Sequence, residues 1–323
     1  MKMSCLDKLT AAADLCLDEG FAFFPGLIDE LLADQLRNEL HPWIDRPAVG
    51  GAGYISAGGD HLLTDIGLYS STTLKLAVDE IFLDMLENIF GMPAILTELS
   101  FRRRMDYCPE MPLHADIGDG IIVFVYLNGV SSSKGSTCVI PKTHVIGADL
   151  NDGYLQVPNE VVEKHRQKLV IPEGPPGSVL VFDQDIWHMR TPVTVLGREL
   201  LWITYHPIER APTKANTKLS AAFLSGLSKR QIQALIPATS TAEPSSEFFK
   251  CSDEIAENTL LDLPSSKLFM ILFKRALIIL KRILRPVIRA VIPAKPSEYR
   301  KKIAQLSPAR IRSRLPNGGI LDT

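Results

Sequence analysis

Two histidines and one aspartate have the types and spacing of a metal site: His114 and Asp116, one residue apart, and His188 about seventy residues further on. Alternate residues of an extended strand point to one face, so a His-x-Asp pair presents an imidazole and a carboxylate side by side. A second imidazole from another strand closes a triangle. Such a trio leaves the opposite positions of a cation open, which suits a non-haem Fe(II) centre. Singly these residues are weak evidence, because a buried, hydrogen-bonded histidine is commoner than a ligand. Their context adds weight. Pro112-Leu113 precede the pair and Gly118-Asp119-Gly120 follow it, placing it at a strand end, and the apolar run 177–183 leads into Trp187-His188. Ten residues past His188, Arg198 opens the apolar segment 200–205. An arginine aimed into a barrel needs an anion, and a ligand carboxylate held in its two-pronged fork would satisfy it.

The elements that must position these residues are short strands. Runs at 95–105, 120–127, 136–141, 169–171, 178–182, 187–189 and 198–206 are separated by Gly/Pro/Asn/Ser clusters, the pattern of a β-sandwich or jelly roll. Ahead of them, 6–17 and 28–40 keep helical spacing around a β-like run at 21–24, and 72–90 reads as one helix stopped by Gly91. Residues 45–70 carry six glycines but no dinucleotide-binding pattern, and are expected to form a flexible loop over a site. Arg102 and Arg104 would share one strand face, which is expected to be solvated, the alternative being that one of them meets an anionic substrate. His144 is expected in a structural turn, His206 at a core or rim position, and Trp187 in packing or at substrate.

Composition bounds the rest. With 323 residues, 46% hydrophobic and 22% charged, the chain is that of an ordinary globular protein. Its five cysteines form no CxxC pair and are odd in number, which fits a reducing compartment. Asp7, Asp14, Asp18 and Glu19 interrupt any apolar leader, so no signal peptide is expected and a cytoplasmic location follows. The net charge of −2 hides an asymmetry: residues 261–323 hold 14 Lys/Arg against 3 Asp/Glu, a net of +11. Between the N-cap signal Pro264-Ser265-Ser266 and Pro286, a helix is expected over 267–285. Its cations, with Arg289, fall within an arc of roughly 120°, and nearly all the rest is apolar. Such a helix would lie in a membrane interface on the cytoplasmic face, or pack against the protein's own fold. Charges continuing to Arg314 tilt the reading to the membrane, while no nucleic-acid motif is present.

The runs "LHADIGDGIIVFVYLNGVSSSKGSTCVIPKTHVIG" and "PPGSVLVFDQDIWHMRTPVTVLGREL" resemble the phytanoyl-CoA dioxygenase family of Fe(II)/2-oxoglutarate oxygenases, over roughly residues 15–210 and best over 95–206. The resemblance implies an α+β protein with a double-stranded β-helix core and N-terminal helices packed on it; the spacing of the tail adds a basic amphipathic C-terminal helix. With the composition and charge of the remainder, the chain divides into an oxygenase domain (1–210), a helical or loop extension (211–262) and the tail (263–323). By the same resemblance His114, Asp116 and His188 hold iron and Arg198 grips the far carboxylate of 2-oxoglutarate; Phe124 and Tyr126 share one face of the strand that follows, and one of them is expected to line that pocket. Lys142 stands where the family usually has glycine. The implied reaction hydroxylates an unactivated C–H bond of a small or lipid-linked substrate, consuming O2 and 2-oxoglutarate and releasing succinate and CO2, with ascorbate as an accessory reductant. A carboxylate at 116 favours hydroxylation, since related halogenases have a small residue there. Two other classes stay open: a catalytically silent jelly-roll scaffold, and a cupin-like Zn or Mn enzyme that does not use 2-oxoglutarate.

Overall fold

Strand β6 (Ile121–Tyr126) is apolar at all six positions and buried at each of them, so both of its faces must be covered. In the computed structural model, one face meets helices and the other a second sheet. The structure describes residues 5–44, 54–55, 60–64, 66–116, 118–145, 163, 165–210 and 221–235.

The remaining strands are β1 (Phe21–Phe24), β2 (Tyr54–Ile55), β3 (His61–Thr64), β4 (Ala94–Arg104), β5 (Met111–His114), β7 (Thr137–Val139), β8 (Ser178–Asp183), β9 (His188–Arg190) and β10 (Arg198–Pro207). They form a seven-stranded antiparallel sheet ordered β1-β8-β6-β10-β4-β3-β2 and a three-stranded one ordered β5-β9-β7. Register sorts the large sheet's side chains by parity. Ile121, Val123, Val125, Val179, Val181, Leu201 and Ile203 pack beneath helices α1 (Cys5–Asp18) and α4 (Glu80–Phe90). Ile122, Phe124, Tyr126, Leu180, Phe182 and Leu200 face inward and meet Val139 of the small sheet. Two sheets enclosing a side-chain-lined interior, backed by helices, make the jelly-roll α+β architecture expected from the sequence.

Helices α2 (Glu30–Ile44), α3 (Ser71–Ala77), α5 (Ala221–Ser225) and α6 (Lys229–Ala234) are further α-helices among the described residues. Several expectations need correction. Residues 72–90 are two helices: the chain breaks at Val78 and restarts where the Asp79 carboxylate accepts the Ile81 N–H, an N-cap that apolar periodicity conceals. Gly91 ends α4 in the left-handed conformation, as its position predicts. The glycine-rich stretch carries strands β2 and β3, the outer strands of the large sheet. Segment 169–171 contributes one bridge, between Val139 and Val170. Lys142 holds φ at +67°, a conformation that favours glycine, and is tied down by its N–H to the Glu19 carbonyl at 2.8 Å and its ammonium to the Glu19 carboxylate at 2.8 Å. The expected helix over 267–285 lies outside the described residues.

Candidate metal centre

His114 is the last residue of β5 and pairs across the small sheet with His188, the first of β9. Asp116 lies two residues past the end of β5, so the His-x-Asp pair straddles a strand end and does not sit within a strand. The following turn lies close to the large sheet: a Cβ on Gly120 would come within 2.8 Å of the Tyr205 carbonyl. Gly118 and Gly120 donate their N–H groups to Asp185 and Gln184, at 3.3 and 3.1 Å, which fastens the turn to the segment leading into His188.

One ligand atom from each of His114, Asp116 and His188 lies within 4.8 Å of the others. The His188 Nε2 stands 3.7 Å from the Asp116 carboxylate, and the two imidazole centroids are 4.2 Å apart. Backbone carbonyls set the tautomers. Nδ1 of His114 donates to Pro112 at 2.8 Å and Nδ1 of His188 donates to Ile186 at 3.0 Å, so each proton sits on Nδ1 and each Nε2 lone pair is left for a cation. Burial, then the neighbouring His188, holds the His114 imidazole down to about 4, outweighing Asp116 and the Pro112 contact; at neutral pH it is an uncharged donor. Two imidazole Nε2 atoms and a carboxyl group brought to one side are the donor set of a three-ligand face. The residues fit a divalent transition metal.

Inward from the ligands runs an aromatic row. Phe182 lies 5.2 Å from His188, Phe124 lies 5.1 Å from Phe182, and Trp202 lies 4.6 Å from Phe124. Tyr126 is fully buried beside Phe124 at 6.2 Å, and its phenol is raised by burial, partly offset by Thr137 and Arg198. Phe124 and Tyr126 therefore both line the interior. Trp187 is buried against Leu113, Ala115 and Met189, a packing position. His144 is buried in its turn with Nε2 3.2 Å from the Leu17 carbonyl, and His206 meets Thr97 on the sheet.

The arginines depart most from expectation. Arg104 of β4 and Arg198 of β10 are 2% and 4% exposed, so the face of β4 that bears Arg104 is not solvated. They oppose each other in register, and between them sits Asp60, just ahead of β3. Arg104 Nε donates to Asp60 at 2.9 Å, and Arg198 Nη2 stands 3.4 Å from both Asp60 oxygens. Arg198 thus points inward as the sequence suggests but already faces a protein carboxylate, supplied from a segment read as a loop. Arg190 of β9 adds a third buried guanidinium, 8% exposed and donating to Cys108 at 2.8 Å; burial, then Arg198 and Arg104, lower its pKa. Arg102 stacks on Trp202 at 3.5 Å. Arg190, Arg104 and Asp60 were missed as site residues. Parity on β4 pointed to Arg104, whereas nothing local to Asp60 announced its role.

Fold and site together define a double-stranded β-helix protein with a two-histidine, one-carboxylate centre. Solved structures of similar fold include the non-heme alpha-ketoglutarate-dependent epimerase SnoN of nogalamycin biosynthesis, in complex with Fe3+, alpha-ketoglutarate and nogalamycin RO. It is 17% identical, with a TM-score of 0.52, covering 62% of this chain and 84% of that one. EctD from S. alaskensis, with 2-oxoglutarate and 5-hydroxyectoine, is 19% identical with a TM-score of 0.52, covering 64% and 77%. At these identities the likeness is one of fold. No family model and no curated protein matches the chain.

Proposed function

We propose that the protein is an Fe(II)/2-oxoglutarate-dependent oxygenase of the phytanoyl-CoA dioxygenase type that hydroxylates an unactivated C–H bond of a small or amphiphilic substrate. The observation that carries this reading is the convergence of His114, Asp116 and His188, with both Nδ1 protons committed to carbonyls, inside a barrel whose buried wall bears Arg198. When bound, the iron would activate O2, the oxidant, with 2-oxoglutarate as electron donor: one oxygen atom enters the C–H bond and the other enters succinate, with CO2 released. The chain's own residues bind and orient. His114, Asp116 and His188 would hold the metal on one side. Arg198 would fix the far carboxylate of 2-oxoglutarate, and Phe124 and Tyr126 would wall its carbon chain. The apolar row from Phe182 to Trp202 would exclude water from the reacting face. Ascorbate would serve as accessory reductant, and the basic tail would bring the site to a membrane carrying a lipid-linked substrate.

Anaerobic addition of Fe(II) and then 2-oxoglutarate should produce a weak visible charge-transfer band, and aerobic incubation should release succinate. Absence of both would overturn the assignment. One observation favours a second reading, a metal centre that works without 2-oxoglutarate: Asp60 already faces Arg198. Metal binding with no response to 2-oxoglutarate would support it.

A further inference from the structure

Arg198 does not hold Asp60 as arginines hold carboxylates when the pairing is final. A settled charge-assisted pair runs at about 2.7–2.9 Å, commonly through two parallel N–H bonds. Arg104 makes such a contact with Asp60, at 2.9 Å. Arg198 reaches the same carboxylate through Nη2 alone, at 3.4 Å to each oxygen. Its Nη1 is committed to the Gly135 carbonyl at 2.7 Å. Its Nε is buried and has no hydrogen-bond partner among the described residues. The edge of the guanidinium that a second carboxylate would grip, Nε with Nη2, is therefore half vacant and half covered by Asp60. Surroundings favour a further anion: three buried guanidiniums, of Arg104, Arg190 and Arg198, are gathered about this one carboxylate.

We propose that Asp60 is an internal competitor for the distal carboxylate of 2-oxoglutarate: it covers part of the Arg198 fork in the free protein and withdraws onto Arg104 when the co-substrate binds. Asp60 thereby sets how tightly the protein takes 2-oxoglutarate and how far it prefers a dicarboxylic keto acid to a shorter one. The inference rests on the 2-oxoglutarate reading above. Two carboxylates at one guanidinium repel each other, and the repulsion is strong where water is excluded. Burial pushes the Asp60 carboxyl up, but Arg198, Arg104, Arg102 and Arg190 together hold it below the usual range, so it competes as an anion throughout the neutral range. The short contact to Arg104 gives it a partner to keep after Arg198 is taken. A carboxylate that merely braced Arg198 would make its short contact there.

Calorimetric titration of the full chain loaded with Ni(II) tests this, using 2-oxoglutarate and, separately, 2-oxobutyrate, which has the same metal-binding end and no distal carboxylate. Asp60→Asn should bind 2-oxoglutarate about tenfold tighter than the wild type and 2-oxobutyrate equally well. Its melting temperature without ligand should fall, and 2-oxoglutarate should raise it by more than it raises the wild type's. Asp60→Glu, whose longer side chain reaches further across the Arg198 fork, should bind 2-oxoglutarate more weakly, and provides the answer if Asp60→Asn does not fold. Unchanged or weaker binding of 2-oxoglutarate by Asp60→Asn, tighter binding of both keto acids, or tighter binding by Asp60→Glu would overturn the proposal and identify Asp60 as a brace. Failure of the wild type and both variants alike to bind 2-oxoglutarate would overturn the functional reading itself.

Discussion

Proton placement on two imidazoles decides whether this barrel can take a metal. Because Pro112 and Ile186 each accept an Nδ1 proton, the Nε2 atoms are available with no rearrangement of either ring. Asp116 supplies the only negative charge of the trio. Asp116→Ala should therefore lower metal affinity at least ~100-fold and bring succinate release to background, read by metal content and product assay; added chloride should not restore turnover. Arg198→Lys should weaken 2-oxoglutarate binding ~10–100-fold while leaving metal content unchanged, because an ammonium cannot offer two parallel donors. His114 also fixes a pH dependence. Its imidazole is held down to about 4, against an ordinary value of 6.5, by burial and by His188. Between those values the unfolded chain binds the proton and the folded one does not, so stability rises with pH. The metal-stripped protein should lose up to about 3 kcal/mol between pH 6.5 and pH 4, seen as a falling melting temperature that His114→Gln flattens.

Helix boundaries in this fold are set by side-chain caps that hydrophobic spacing does not reveal. The apolar pattern runs on from α3 into α4, yet the Asp79 carboxylate accepts the Ile81 N–H at 3.0 Å and starts a new helix there. Restarting the helix lets Leu74 and Ala77 of one segment and Phe82, Leu86 and Ile89 of the other reach the same core beneath the large sheet. Asp79→Ala should destabilise the protein by about 1 kcal/mol, lowering the urea midpoint with no change in slope. Metal content should be unaffected, since α4 packs on the opposite side of the sheet from the ligands.

Charge divides the chain as a whole. Residues 1–260 are strongly acidic, and the 63 that follow carry a net of +11. If the tail places the protein on a membrane, the full chain should sediment with anionic vesicles at low salt, each cation near the surface contributing on the order of 1 kcal/mol. The apolar arc of 267–285 should retain some attachment at high salt, and a chain ending at Leu260 should stay in the supernatant. Equal partition of the two into the supernatant would assign the apolar arc to packing instead.

Legibility followed the range of the interactions involved. Most strand positions from 94 onward (169–171 and β5 excepted), the parity that turns Arg198 inward, and the trio His114, Asp116 and His188 were readable because each depends on residue type and local periodicity, which the chain carries in its own order. The partner of Arg198 was not. Asp60 reaches it only because β3 pairs with β4 and β4 with β10, bringing residues 138 positions apart to 3.4 Å. The short, glycine-flanked strand that delivers Asp60 has too few alternating residues to signal itself. The motif therefore determined which groups can hold a metal, whereas the charge balance of the pocket beside it arises from strand pairing between distant segments, a quantity that no local pattern encodes.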